Sequence, residues 1–139
     1  MKKTTMQKYA RLIAQKGVNV QKNQEVIIRA GLDQPEFVRM VAEECYRKGA
    51  KKVAVEWDYQ PLTKVNYRYR SLKSLSTMEE WQVEKLRHQV DALPAVIYIE
   101  SEDPDGLKGV DQSKVAKAQR AIYPIVKPLR DKMDNKYQW

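Results

Sequence analysis

"EVIIRAGLDQPEFVRMVAEECYRKGAKKVAVEW", residues 25–57, decides the fold. Residues 25–30 are a short β-branched run closed by Gly31, which reads as a strand. Asp33 offers a helix N-cap and Pro35 suits a first helical turn. Phe37, Val38, Val41, Ala42 and Cys45 then recur on one helical face. Arg47 and Lys48 sit at the helix's negative end, and Gly49 stands where a C-cap glycine belongs. "KKVAVEW", residues 51–57, is a second strand. A strand, a helix and a strand joined by short connections form a βαβ unit, which demands parallel strands and a right-handed crossover.

Outward from this unit, helix and strand keep alternating. Residues 3–16 place Met6, Tyr9, Ala10, Ile13 and Ala14 at helical spacing, with Gly17 as a stop. "NVQKNQ" reads as a polar turn. After Pro61, residues Leu62, Val65, Tyr69 and Leu72 predict a helix with one apolar face. Thr77-Met78-Glu79-Glu80 matches a capping box for a helix over 78–91. Residues 95–101, "AVIYIES", predict a third strand entered through Pro94. Asp111 can cap a long helix carrying Val115, Ala118, Ile122, Leu129 and Met133, which Pro124 and Pro128 should kink or interrupt. A fourth strand is then due, and Tyr137–Trp139 would begin it. The expectation is one α/β domain over residues 1–139. It is three-layered, with a mostly parallel sheet of three to four strands flanked by helices and a truncated final strand.

The 139 residues include a single cysteine, Cys45, so an intrachain disulfide is impossible and a cytoplasmic location is expected. No apolar run approaches the roughly 20 residues of a membrane span, and the basic start "MKKTTMQKYARLIAQKG" has no continuous apolar segment of a signal peptide. The net charge is +8 but its sign alternates. Residues 46–75 carry eight basic and two acidic side chains, whereas residues 76–111 carry nine acidic and three basic. That alternation argues against one continuous phosphate-binding face.

Catalytic constellations are missing from the sequence. One histidine, His88, stands inside a predicted helix without a second metal-ligating histidine near it, and it reads as a surface or groove residue. Cys45 lies on an apolar helix face and reads as a buried small hydrophobe. There is no Gly-x-Ser-x-Gly elbow. The first strand–helix connection, "AGLDQPE", has one glycine and two carboxylates, which would repel a phosphate. No catalytic, cofactor-binding or metal-binding residue is therefore assigned.

Three places keep functional interest. Trp57 and Asp58 end the second strand, and Asp103 lies in the acidic loop "ESEDPDG" after the third; carboxyl ends of strands are where α/β folds place ligands. These three are candidates for interdomain or substrate-facing roles. "NYRYRSLK", residues 66–73, interleaves Tyr67, Arg68, Tyr69 and Arg70, a pattern suited to single-stranded nucleic acid. On a helix, though, the spacing sends Tyr69 to the core and the arginines to water.

The order of the segments carries a resemblance. "YARLIAQKGVNVQKNQEVIIRA", "FVRMVAEECYRKGAKKVAVEW", "ESEDPDGLKGVDQSKVAKAQRAI" and "PLRDKMDNKYQW" together resemble the N-terminal domain of the thermophilic-type metallo-aminopeptidases, the aminopeptidase T, aminopeptidase S and PepS group. The most specific pieces are Tyr9-Ala10 with Gly17–Gln21, Tyr46 with Gly49-Ala50 and Val53–Trp57, and Asp103-Pro104 with Leu107 and Gly109–Asp111. The resemblance implies a non-catalytic N-terminal domain followed by a catalytic domain not in this chain. That second domain would hold two divalent metal ions (zinc, cobalt or manganese) and release N-terminal amino acids from peptides. It also implies a homodimer whose active sites face an internal cavity, which this domain would help to roof. The alternative from another class is a stand-alone basic α/β module that binds nucleic acid through Tyr67, Arg68, Tyr69 and Arg70.

Overall fold

In the computed structural model, residues 2–99 and 105–133 are described. Three parallel strands lie in the order β2-β1-β3: β1 (Glu25–Gly31) at the centre, β2 (Lys52–Asp58) on one side and β3 (Ala95–Ile99) on the other. The register pairs Ile28 with Val55 and Ile97, and Arg29 with Glu56 and Tyr98. The expected fourth strand at Tyr137–Trp139 lies outside the described residues, as do the last two residues of the predicted third strand.

Within the span read from sequence as one domain, the described residues group into two compact units, residues 2–58 with 93–99 and residues 59–92 with 105–133. The first is the α/β unit. Helix α1 (Lys3–Leu12) runs into a π-helical turn, Ile13–Gly17, where the Val18 N–H reaches back five residues to the Ile13 carbonyl at 3.0 Å. Helix α2 (Pro35–Arg47) packs against both α1 and the sheet. Because side chains alternate along a strand, Val26, Ile28 and Ala30 of β1 and Ala95 and Ile97 of β3 share one face. They form the core with Ala10, Ala14, Val38, Met40, Val41 and Cys45. The polar-looking turn after Gly17 also hides core: Val18 and Val20 are buried, and positive φ at Asn19 and Asn23 lets the chain fold around them. Asparagine tolerates that backbone region better than most residues.

Helix α2 starts on Gln34, not Asp33, and no side chain caps it. Its other end follows the sequence closely. Gly49 takes φ +110°, its N–H bonds the Tyr46 carbonyl, and the Ala50 N–H bonds that of Cys45, both at 3.0 Å. These two bonds make a Schellman motif, which only a residue at ease with positive φ permits. The Tyr46 hydroxyl then accepts the N–H of Val53, 2.9 Å away, at the start of β2. Glu44 is buried between helices and is held by Arg47 at 2.8 Å and by Arg11 of α1 at 3.7 Å.

The second unit is helical: α3 (Gln60–Tyr69), α4 (Leu72–Leu75), α5 (Glu80–Ala92) and α6 (Gln112–Met133). The capping box expected on Thr77 does not form. Thr77 donates to the Lys73 carbonyl at 2.7 Å, and the helix begins two residues later on Glu79, whose N–H is accepted by Gln82 Oε1 at 2.8 Å. The reciprocal half of a capping box is thus supplied by Gln82. Asp111 caps α6, its Oδ1 accepting from the N–H groups of Ser113 and Lys114 at 2.9 and 3.3 Å. Val115, Ala118 and Val126 are buried on this helix, with Ile122 and Leu129 half-buried.

Pro124 and Pro128 do not interrupt α6, which runs unbroken through both. They stand four residues apart on the exposed side with Arg120, so the carbonyls of Arg120 and Pro124 that lose their helical donors can turn to water. The apolar face expected on α3 is present but not covered among the described residues: no residue of that helix is buried, and Leu62, Val65, Tyr69 and Leu72 are exposed. Periodicity marks which side of a helix is apolar, but burial needs a partner surface.

Candidate functional site

The strand order puts a topological switch point between β1 and β3. From β1 the chain crosses to β2 on one side, and it returns later to β3 on the other. In such sheets a crevice opens beyond the carboxyl ends of the strands on either side of the switch. A groove of about 960 Å³ is found there. One wall is α1 and the π-helical turn that continues it, through Met6 and Tyr9 of the helix and Ile13 of the turn, spaced three and four residues apart. The second is the connection from β1 into α2, residues 33–37. The third is the end of β3, Tyr98 and Ile99.

Local structure sets each wall. Met6, Ile13, Phe37 and Ile99 are half-buried against the core, which gives the groove an apolar floor. Tyr9 is a half-exposed aromatic flank, whereas Tyr98 alternates with Ile97 and Ile99 and so turns its ring to the opposite face of the sheet, beside Arg29. Tyr98 is held by a polar row that crosses the sheet in register. Arg29 Nε donates to Glu56 Oε2 at 3.2 Å and Nη1 donates to the Tyr98 hydroxyl at 3.3 Å, with the guanidinium carbon 5.8 Å from the ring centroid. Gly31 leaves room for Asp33, because a Cβ there would lie 2.9 Å from the Asp33 carboxylate. The charged groups among the lining residues are Asp33 and Glu36, both acidic, on a chain whose net charge is +8. Glu36 keeps a long contact of 3.9 Å with Arg39 between two exposed side chains. Pro35 supplies no N–H at the first helical position. The start of α2 is therefore a poor anion site despite the helix dipole.

The residues singled out from sequence fall elsewhere. Trp57 and Asp58 end β2, opposite Ala30 and Gly31, on the side of β1 away from the groove, and both are exposed. Asp103 lies outside the described residues. Tyr67 and Tyr69 are both on α3, where residues two apart diverge by about 200°, so they do not form one stacking platform. Tyr69 is 78% exposed and Tyr67 is half-buried, the reverse of the core placement expected for Tyr69. Arg70 folds back onto Ser74, donating to its hydroxyl and its carbonyl at 2.9 Å each, while Arg68 and Lys64 approach Gly109. His88 is exposed.

Cys45 is fully buried, and burial first, then the negative charge of Glu44, pushes its thiol up to about 11. At neutral pH it is an unreactive thiol. Among the described residues no three His, Cys, Asp or Glu side chains come together in a metal-holding group, so they do not fit the metal pair that the resemblance implies. Among them, too, no helix is long and apolar enough to cross a membrane.

The groove escaped the sequence reading because a switch point is a property of strand order. Its one local sign was the pair of carboxylates in "AGLDQPE", which had served only to exclude phosphate.

Residues 2–139 match the family model described as thermophilic metalloprotease (M29). The chain is 35% identical over 113 residues to aminopeptidase AmpS of Bacillus subtilis, covering 81% of this chain and 28% of that protein. It is 31% identical over 126 residues to aminopeptidase T of Thermus thermophilus, covering 91% of this chain and 31% of that one. The solved structure of wild-type AmpT from Thermus thermophilus superposes with a TM-score of 0.81 at 30% identity, over 94% of this chain and 33% of the other. The chain thus spans about a third or less of the length of these relatives.

Proposed function

We propose, from the premise that the chain belongs to the thermophilic metalloprotease (M29) family, that it is the N-terminal, non-catalytic domain of a metal-dependent aminopeptidase. The match over residues 2–139 carries this reading, since every relative named above is an aminopeptidase and each is about three times as long. The parent enzyme would be a cytoplasmic homodimer that releases N-terminal amino acids from peptides. Its two divalent ions, of zinc, cobalt or manganese, would be held by the catalytic domain. No catalytic step is assigned to this chain.

The domain's role is to roof the active-site cavity and to supply interdomain or dimer contacts. Trp57 is a large aromatic, 46% exposed at the end of an edge strand beside Asp58, and these two with Asp103 are the residues proposed to face the catalytic domain or the substrate. The apolar side of α3, which has no cover among the described residues, supports a contact-making role as well.

The test is direct. The 139-residue chain alone, given an aminoacyl-nitroanilide with cobalt, zinc or manganese, is expected to show no turnover. Turnover that is abolished by a chelator would overturn the reading.

A further inference from the structure

The groove at the β1/β3 switch point lies outside any role proposed so far for Trp57, Asp58 and Asp103, and its chemistry is specific. It combines an apolar floor (Met6, Ile13, Phe37 and Ile99), one aromatic flank (Tyr9) and a rim whose charges, Asp33 and Glu36, are both negative. Asp33 makes no hydrogen bond or ion pair among the described residues. A groove of about 960 Å³ exceeds the needs of a single amino acid and falls in the range of ordinary ligand sites. Phosphate-bearing ligands are disfavoured by the rim. A wholly apolar ligand would leave the two carboxylates without use. The ligand that fits is a cation on an apolar body.

We propose that this groove binds the amino-terminal end of a short apolar peptide. The α-ammonium would lie between Asp33 and Glu36, and the leading side chains would lie on the floor beside Tyr9. The peptide identity rests on the aminopeptidase reading; the demand for a cationic, apolar ligand comes from the groove itself. The groove would give the enzyme a second place to hold peptides, distinct in its chemistry from a metal centre.

The probes are Leu-Leu-Leu-amide, its N-acetyl derivative and Gly-Gly-Gly-amide, titrated calorimetrically into the 139-residue chain. Saturable binding of the free-amine leucine peptide is expected, weakened about 5-fold or more by acetylation and absent for the glycine peptide. The double variant Asp33→Asn, Glu36→Gln is expected to bind the free-amine and acetylated peptides alike. Both side chains are exposed, so folding should be unaffected. Equal binding of the two leucine peptides by the wild-type chain overturns the proposal, as does an unchanged preference in the double variant or a lack of saturation at millimolar peptide. None of these arms measures turnover, so a negative result here leaves the aminopeptidase reading to the nitroanilide assay.

Discussion

Replacing Cys45 with alanine should change how stability depends on alkaline pH, and the size of the change can be worked out. In the folded chain the thiol has no contact with solvent and its pKa is raised from 9.0 to about 11. In the unfolded chain it returns to its ordinary value. Above pH 9 the unfolded thiol loses its proton while the folded one keeps it, so deprotonation favours unfolding. The native state therefore has its full stability below pH 9 and loses it progressively between 9 and 11, where the folded thiol finally ionises. Two pKa units correspond to about 3 kcal/mol, of which about 2 should be lost by about pH 10.5. The informative quantity is the difference between wild-type and Cys45→Ala at each pH. At pH near 8 the variant should be less stable by about 1 kcal/mol, the cost of a small cavity in a packed core. By about pH 10.5 the order should reverse. Urea denaturation followed by circular dichroism at several pH values reads this out, and a gap that stays constant from pH 8 upward would refute the reasoning. The same shift cuts the thiolate fraction at pH 8 about 100-fold, so native Cys45 should label with a disulfide reagent at least that much more slowly than the unfolded chain.

Two further outcomes follow from the packing. Ile28→Ala should cost about 3 to 4 kcal/mol and Ile28→Val about 1, measured by urea denaturation. Ile28 is fully buried on the central strand and is flanked in register by Val55 and Ile97, so the sheet cannot close around the gap; a loss under 1 kcal/mol for the alanine variant would contradict that placement. Gly49→Ala should cost about 1 to 3 kcal/mol. At φ +110° a new Cβ is strained and would also sit 3.2 Å from the Lys22 Cα, so an unchanged thermal midpoint would show that the α2 terminus is not built as described.

Strand, helix and strand over residues 25–57 were legible because their signals are local. A β-branched run, a first-turn proline, an apolar face at helical spacing and a C-terminal glycine each act within a few residues of themselves. The Asp111 cap and the burial of Cys45 were legible for the same reason. The capping box at Thr77 misled because the motif needs only four residues, and another nearby arrangement, Gln82 closing on Glu79, satisfied the same N–H. The prolines of α6 do not interrupt it, because their cost depends on whether the freed carbonyls meet water, and that depends on which side of the helix faces out.

By itself, then, the sequence determined the α/β class, the parallel β1–α2–β2 unit and most of its inward-facing side chains. It also carried the family, since order and spacing of segments persist in the chain without reference to three dimensions. The tertiary structure alone decided the strand order, and with it the switch point and the groove. Met6, Asp33 and Ile99 are far apart along the chain and come to line one groove only when β3 docks against β1. It also decided that, among the described residues, the apolar side of α3 has no cover, because a hydrophobic face specifies a preference for burial and the rest of the fold supplies or withholds the surface.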